Sequence, residues 1–170
     1  MSSLGSLDPS RSPIPNIALV LKAGAAGAVV DLVYATGRGL TDSGSVTTPW
    51  RGVASGWLGG KAYDGGLVTV ALGLVTHFAI AMVMAAVWVW GLNRLEPVQR
   101  RRTAAAVVYG LGLYVVMYLV VLPLRWPAYF PTWDGVRSAL DILAHVAVAL
   151  VIAWVGGRPR APEVALRLIK

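Results

Sequence analysis

The sequence predicts an all-α membrane protein, a four-helix bundle made of two related parallel-repeat helical hairpins and a short outer helix. Of its 170 residues, 56% are hydrophobic and only 14% are charged, whereas soluble domains carry about 25% charged residues. Four apolar segments reach the roughly 20 residues that a helix needs to cross a bilayer. We predict these spans at residues 16–38, 66–92, 103–124 and 138–157.

The four predicted spans differ in the polar residues that they contain. Lys22 and Asp31 interrupt the first span, and Asp141 and His145 interrupt the fourth. The second span has His77 as its one titratable group, and the third has no charged residue. Residues 1–15 are predicted to be a disordered polar tail rather than a signal peptide. Residues 158–170 are predicted to be a basic tail, which leaves residues 16–157 as one transmembrane domain.

The segment between the first two spans has the pattern of a short amphipathic helix. Its apolar residues fall at positions 50, 53, 54, 57 and 58, and Thr48 and Pro49 are typical of a helix start. We therefore expect an interfacial helix over residues 49–62 on the outer surface. The loop after the third span is also aromatic. Four tryptophans in these two loops are expected to anchor the protein at the membrane interface: Trp50, Trp57, Trp126 and Trp133.

The basic residues predict the orientation of the chain. Ten of the fifteen lysines and arginines lie toward the two termini or in the loop between the second and third spans. Because positive charge accumulates on cytoplasmic segments, both termini are predicted to lie in the cytoplasm, with the chain in a bacterial inner membrane. Basic residues at the ends of apolar segments also exclude nucleic acid as the reason for the net charge of +7. The expected partners are the lipid bilayer and a second copy or a larger membrane complex.

Two nearly identical strings in the second and fourth spans indicate an internal repeat. Residues 77–85 read HFAIAMVMA and residues 145–153 read HVAVALVIA, so that five of nine positions are identical. The other two spans show a fainter match, in which Gly27 and Asp31 correspond to Gly110 and Tyr114. Both hairpins run in the same sense, which predicts a parallel repeat about an axis along the membrane normal.

Each predicted span carries small and polar residues at four-residue spacing, which places them on one helix face. Small residues mark the faces where membrane helices approach closely, and ionisable residues in a membrane usually face the protein interior. The faces that carry them are therefore predicted to turn inward. The helical rise of about 1.5 Å per residue puts the polar residues of these faces in one buried layer in the outer half of the membrane. The layer comprises Asp31, His77, Tyr114, Tyr118, Asp141 and His145.

Three functional hypotheses remain open for this polar layer. The first is a small transport or proton-responsive module, in which Asp31 and the histidines exchange protons and Asp141 and His145 share one. The alternative is a non-catalytic subunit or scaffold whose layer specifies packing. The second alternative is a haem or metal site with His77 and His145 as ligands, although no cofactor is expected. The chain has no cysteine and no serine beside a histidine, so it is not expected to be an enzyme.

Short motifs distributed over the spans resemble those of a known group of membrane proteins. They are the segments at 24–27 (GAAG), 77–81 (HFAIA), 109–112 (YGLG) and 122–124 (LPL), followed by His145. On these motifs the chain resembles the YagU-like family of small bacterial inner-membrane proteins, whose biochemical activity is not established. The resemblance implies a helical inner-membrane protein, and the family's loose link to acid tolerance suits a layer of Asp and His side chains that exchange protons.

Overall fold

The computed structural model describes residues 17–157, and within them four helices are long and apolar enough to cross a membrane. The first span is Ile17–Ser43, the second Gly66–Arg94, the third Arg102–Arg125 and the fourth Gly135–Val155. This part of the chain contains no strand. The predicted all-α bundle of four apolar helices is therefore confirmed. The predicted tails at residues 1–15 and 158–170 lie outside the described residues.

The first span and the helix that follows it differ in length from the prediction. The first span continues to Ser43, because Arg38 and Asp42 form an ion pair of 3.0 Å across one helical turn and stabilise its end. The connecting helix, Thr48–Leu58, is shorter than the predicted 49–62. It ends where Gly59 takes a φ of +59°, a conformation that favours glycine, and a 3₁₀ turn at Gly59–Tyr63 completes the segment.

The spans pack in an open order rather than a closed ring. The third span packs against the fourth, the fourth against the first, and the first against the second, while the connecting helix packs against the second. The second and third spans meet at Met84, whose carbonyl accepts a hydrogen bond of 2.8 Å from the Tyr109 hydroxyl, and at Trp88, whose ring lies 5.5 Å from that of Tyr109. Apart from these contacts, the second and third spans touch little.

The second and third spans both depart from regular α-helix. The second span contains a π-helical segment at Val87–Gly91, and the third contains one at Met117–Val121. The first of these segments lies at the end where the two spans meet, and the second lies in the opposite half of the bundle, where Met117 and Tyr118 line a cavity. A short helix, Glu96–Arg100, joins the two spans.

The end of the bundle that holds residues 17 and 157, called here the terminal end, is closed by apolar packing. Trp88 is completely buried there, and the Arg102 guanidinium donates to the Ala153 carbonyl, which ties the third span to the fourth. The core at this end is formed by Val20, Ala23, Ala85, Trp88, Ala106, Val148, Ile152 and Ala153. The opposite end, called the distal end, carries the connecting helix and the loop between the third and fourth spans.

Two glycines allow backbones to touch and thereby position the spans. A Cβ on Gly110 would lie 2.6 Å from the Val146 Cα, so the third and fourth spans approach as closely as their backbones allow. A Cβ on Gly73 would lie 1.9 Å from the Trp50 carbonyl oxygen, so the connecting helix sits directly on the second span. The predicted use of small residues at helix contacts therefore applies here.

Candidate functional site

A cavity of about 410 Å³ lies in the distal half of the bundle, and all four spans and the connecting helix line it. Along the first span it extends from Gly27 to Ser43. Its titratable and charged lining residues are Asp31, Tyr34, Arg38, Asp42, His77, Tyr118, Asp141 and His145. Five of the six residues predicted to form a polar layer are in this set. The sixth, Tyr114, stacks on Tyr118 with 4.6 Å between ring centroids.

The Asp31–His77 pair joins the first and second spans. The His77 Nδ1 lies 3.6 Å from a carboxylate oxygen of Asp31, and its Nε2 lies 3.1 Å from the Ala28 carbonyl oxygen. A carbonyl oxygen can only accept a hydrogen bond, so Nε2 must carry the proton and donate it. In the neutral ring, Nδ1 therefore presents a lone pair to the carboxylate.

This arrangement leaves room for one more proton. A lone pair facing a carboxylate gives no hydrogen bond, and the distance of 3.6 Å is longer than such a bond. A proton placed on Nδ1 creates an imidazolium that attracts the carboxylate, whereas a proton placed on Asp31 creates a hydroxyl that can donate to Nδ1. The Asp31 side chain is 30% exposed to the cavity. Chemically, the pair can take up one proton from the cavity and return it.

His145 has different partners, although it occupies the corresponding place in the second string. Its Nδ1 lies 2.8 Å from the main-chain carbonyl oxygen of Asp141, one turn earlier on the same helix. The rings of Tyr114 and Tyr118 meet it edge-on at 5.8 Å and 5.7 Å. The prediction that Asp141 and His145 share a proton is therefore wrong, because the imidazole bonds to the Asp141 main chain and the carboxylate points elsewhere.

The Asp141 carboxylate belongs to a cluster that joins the fourth span to the first. It accepts a hydrogen bond of 2.5 Å from the Tyr34 hydroxyl and forms an ion pair of 3.0 Å with Arg38. Sequence reasoning missed Tyr34 and Arg38. The spacing of the sequence could have identified them. Tyr34 and Arg38 follow Asp31 by three and seven positions and therefore lie on the same helix face.

A chain of charges continues from this cluster towards the distal surface. Arg38 also contacts Asp42 at 3.0 Å, and Asp42 lies 3.5 Å from Arg137. Arg38 thus has two carboxylate partners, Asp141 and Asp42. In contrast, the one ionic partner that the structure gives Asp31 is a histidine, so this carboxylate has no permanently charged partner among the described residues.

The four tryptophans predicted as interfacial anchors occupy different environments. Trp57 and Trp133 are 69% and 68% exposed, as an anchor in lipid must be, and Trp126 is half-buried. Trp50 departs from the prediction. It is only 4% exposed and lies edge-on to His77 with 5.2 Å between ring centroids. Its contact with Gly73 draws it into the bundle, where it packs against the imidazole instead of the lipid.

The connecting helix covers the second span and reaches the end of the third. Arg125 donates from Nε to the Gly56 carbonyl oxygen at 2.6 Å, and Trp57 donates from Nε1 to the Thr76 hydroxyl at 2.9 Å. The helix also contributes Thr48, Pro49 and Val53 to the cavity lining. It thus forms part of the distal rim of the cavity.

The histidines do not fit the axial ligand pair of a haem. Both ring nitrogens of His77 face protein atoms, the Asp31 carboxylate and the Ala28 carbonyl, so neither is directed at an open coordination position. Within residues 17–157, moreover, no three His, Asp or Glu side chains lie close enough together to hold a metal ion. The site consequently offers proton and charge chemistry through its carboxylates, imidazoles and phenols.

The fold and the site define a class, a polytopic four-helix membrane protein with a polar cavity that is open at one end and sealed by apolar packing at the other. Comparisons of the chain with protein-family models, with curated proteins and with solved structures find no match.

Proposed function

We propose that the protein is a small proton-responsive or transport module in which the Asp31–His77 pair takes up a proton from the cavity. The observation that carries this proposal is the orientation of His77, whose Nε2 donates to the Ala28 carbonyl while Nδ1 faces Asp31 at 3.6 Å. Histidine is the side chain whose charge most readily changes near physiological pH. Here the Asp31 carboxylate faces the ring nitrogen that can accept the additional proton.

The shape of the cavity supports a site that is accessible from only one side of the membrane at a time. The cavity reaches the distal end along the first span, whereas Trp88 and its apolar neighbours close the terminal end. A proton bound at Asp31 therefore exchanges with the distal side in this conformation. Release of the proton to the terminal side requires a second conformation in which the apolar core is open. Transport would require the protein to alternate between these two conformations.

The proposal includes an orientation in a bacterial inner membrane. Both described ends of the chain lie on the same side because the number of spans is even. The excess of Lys and Arg near the termini and in the loop after Arg94 supports a cytoplasmic location for that side. In this orientation the cavity opens away from the cytoplasm.

The proposal can be tested by nitrogen-15 NMR of histidine in the micelle-bound protein, because the chain contains only two histidines. We expect His77 to have a protonated Nε2 at high pH and to become an imidazolium as the pH falls. Asp31→Asn should alter the proton uptake of the pair, because it removes the acid group facing Nδ1. His145→Gln assigns the two signals and serves as the matched control. A His77 ring that keeps one protonation state from pH 5 to 8, or that ignores Asp31→Asn, contradicts the proposal.

The same variants can then be compared in liposomes that contain a pH-sensitive dye. Wild-type protein is expected to move protons after an acid step, and His77→Gln and Asp31→Asn are expected to abolish this movement. A cysteine introduced at Gln99 reports orientation through an impermeant maleimide, since the natural chain has no cysteine. Proton uptake at His77 without flux would identify a proton-responsive module that does not transport protons.

The alternative of a non-catalytic subunit or scaffold is favoured by one observation, the Tyr34–Arg38–Asp141 cluster. These groups form hydrogen bonds and an ion pair with one another across the first and fourth spans. Such mutual pairing is expected of a cluster that specifies packing. The two proposals differ in their expected results. A scaffold loses stability when the cluster is altered and shows no change of function when only Asp31 or His77 is altered.

A further inference from the structure

The geometry points to a ligand for the cavity: an organic cation with apolar substituents, anchored by the Asp31 carboxylate. This inference deepens the proposed function, because the cation and the proton would compete for the same carboxylate. It rests on three observations about the cavity, namely its charge, its apolar lining and its size.

The charge of the cavity is negative. Three carboxylates line it, Asp31, Asp42 and Asp141, together with one guanidinium, that of Arg38. A second guanidinium, that of Arg137, contacts Asp42 from outside the cavity lining at 3.5 Å, so the three carboxylates still exceed the two guanidinium groups by one. Arg38 is engaged by Asp141 and Asp42, each at 3.0 Å. Asp31 therefore remains as the carboxylate that a cation can approach. An attraction between unit charges that is weak in water becomes several times stronger at a site of lower effective dielectric constant.

Much of the cavity lining is apolar. The second span contributes Ile80 and Met84, the third contributes Met117 and Leu122, and the fourth contributes Val148. Methionine side chains adapt to ligands of different shapes, and the aromatic ring of Tyr118 also belongs to the lining. A bare metal ion would gain nothing from these residues, whereas the substituents of an organic cation would be buried against them.

The size of the cavity also agrees with a small organic molecule. Its volume of about 410 Å³ falls within the roughly 300–1,000 Å³ of small-molecule sites. Its lining includes residues at the distal rim, among them Asp42, Ser43 and Thr48, so a small organic molecule can enter from the distal end.

Proton uptake at Asp31 or His77 should oppose the binding of the cation. A proton either neutralises the carboxylate or places an imidazolium 3.6 Å from it, and both changes weaken the attraction for a second positive charge. The other charged groups that face this site form ion pairs with one another. The remaining titratable groups are two phenols and a second imidazole. By element, all of these groups are Tyr34, Arg38 and Asp42 on the first span, Tyr118 on the third, and Asp141 and His145 on the fourth.

The test measures the binding of phenyltrimethylammonium to the purified full chain in an uncharged maltoside detergent by titration calorimetry. Its uncharged carbon isostere, tert-butylbenzene, has the same shape. We expect saturable binding of the cation, binding of the isostere at least tenfold weaker, and weakening of cation binding by up to about tenfold per pH unit as the pH falls, because one proton competes with one cation.

Variants at Asp31 distinguish the anchor from the fold. Asp31→Asn is expected to abolish cation binding, Asp31→Glu to retain it, and Asp64→Asn, which alters an exposed carboxylate outside the cavity, to leave it unchanged. Equal binding by Asp31→Asn and wild type overturns the inference, as does equal binding of the cation and the isostere. Displacement of the probe by phosphatidylethanolamine overturns the assignment to a free cation in favour of a lipid headgroup.

The two proposals fail in different ways. If the cation does not bind although His77 still responds to pH in the NMR experiment, the inference is overturned and the proposed function stands. If the cation binds with the same affinity at every pH, the cation site is supported and the proton exchange is overturned.

Discussion

The two hairpins place the same residue, a histidine followed by a row of alanines, in different surroundings. In the first hairpin, His77 faces the Asp31 carboxylate at 3.6 Å. In the second, His145 faces the ring of Tyr114, the residue that the repeat aligns with Asp31, at 5.8 Å. Similar helices therefore place one histidine against a carboxylate and the other against the rings of tyrosines. The comparison locates the proposed chemistry in the first hairpin and a packing role in the second.

The two helix contacts of the fourth span differ in how far they can relax. At the contact with the third span, Gly110 faces the main chain, with Val146 Cα 2.6 Å from the position of a Cβ. At the contact with the first span, a Cβ on Gly27 would meet the Ile152 side chain at 2.8 Å. A side chain can rotate away, but a backbone cannot. The contact between the third and fourth spans is therefore the more tightly constrained.

The largest expected effect comes from breaking the tight contact of the second hairpin. Gly110→Ala should lower the free energy of unfolding by about 3 kcal/mol, because overpacking against a backbone forces two helices apart. The measurement is equilibrium unfolding in mixed micelles, followed by circular dichroism. Gly112→Ala on the same span is the matched control, since no atom lies within 4 Å of its Cβ position.

The control should be unchanged or slightly stabilised, because alanine favours a helix over glycine by up to about 1 kcal/mol. Gly27→Ala should cost less than Gly110→Ala, since Ile152 can change its rotamer. Equal losses at positions 27, 110 and 112 would show that the two contacts of the fourth span do not differ in packing.

Two carboxylates of the spans, Asp31 and Asp141, offer a second contrast. Asp141→Asn should lower the free energy of unfolding by about 2 kcal/mol, because the Arg38 guanidinium loses its charged partner and the Tyr34 hydroxyl loses a strong acceptor. Asp31→Asn should have a smaller effect on unfolding, since Asp31 has a looser contact and is partly exposed to the cavity. The measurement is the same unfolding experiment, with Asp134→Asn on the distal loop as the exposed control.

The opposite ranking, with Asp31→Asn the more destabilising, would identify Asp31 as the packing residue. It would then remove the distinction between a structural carboxylate at Asp141 and an exchangeable one at Asp31. A loss of pH response in Asp141→Asn, with a stable fold, would point to the same conclusion from the functional side.

Much of the fold could be predicted from the sequence because membrane spans depend on length and apolar content alone. The polar layer was also predictable, since spacing by four residues puts Asp31, His77 and His145 on inward faces. The partners of these residues were not predictable. Which groups contact Asp141 depends on how the first and fourth spans cross, and this brings Tyr34 and Arg38 to the carboxylate instead of His145.

Trp50 shows a second limit of sequence reasoning. An amphipathic pattern identifies the apolar face of a helix, but it does not state whether that face meets lipid or protein. The apolar face of this helix meets protein at Trp50 because Gly73 has no side chain. The backbone at Trp50 therefore packs directly against the second span. Trp57, two turns later on the same helix, stays exposed.

The smallest expected effect is that of His145→Gln, and this variant sharpens the comparison between the hairpins most directly. His145 makes one hydrogen bond to a carbonyl of its own helix and edge contacts with two tyrosine rings. Its loss should cost about 1 kcal/mol of unfolding free energy and leave proton uptake by the protein unchanged. His77→Gln, the same substitution in the first hairpin, should abolish that uptake. If both substitutions reduced proton uptake equally, His145 would take part in proton uptake despite its tyrosine contacts. The two hairpins would then have the same role.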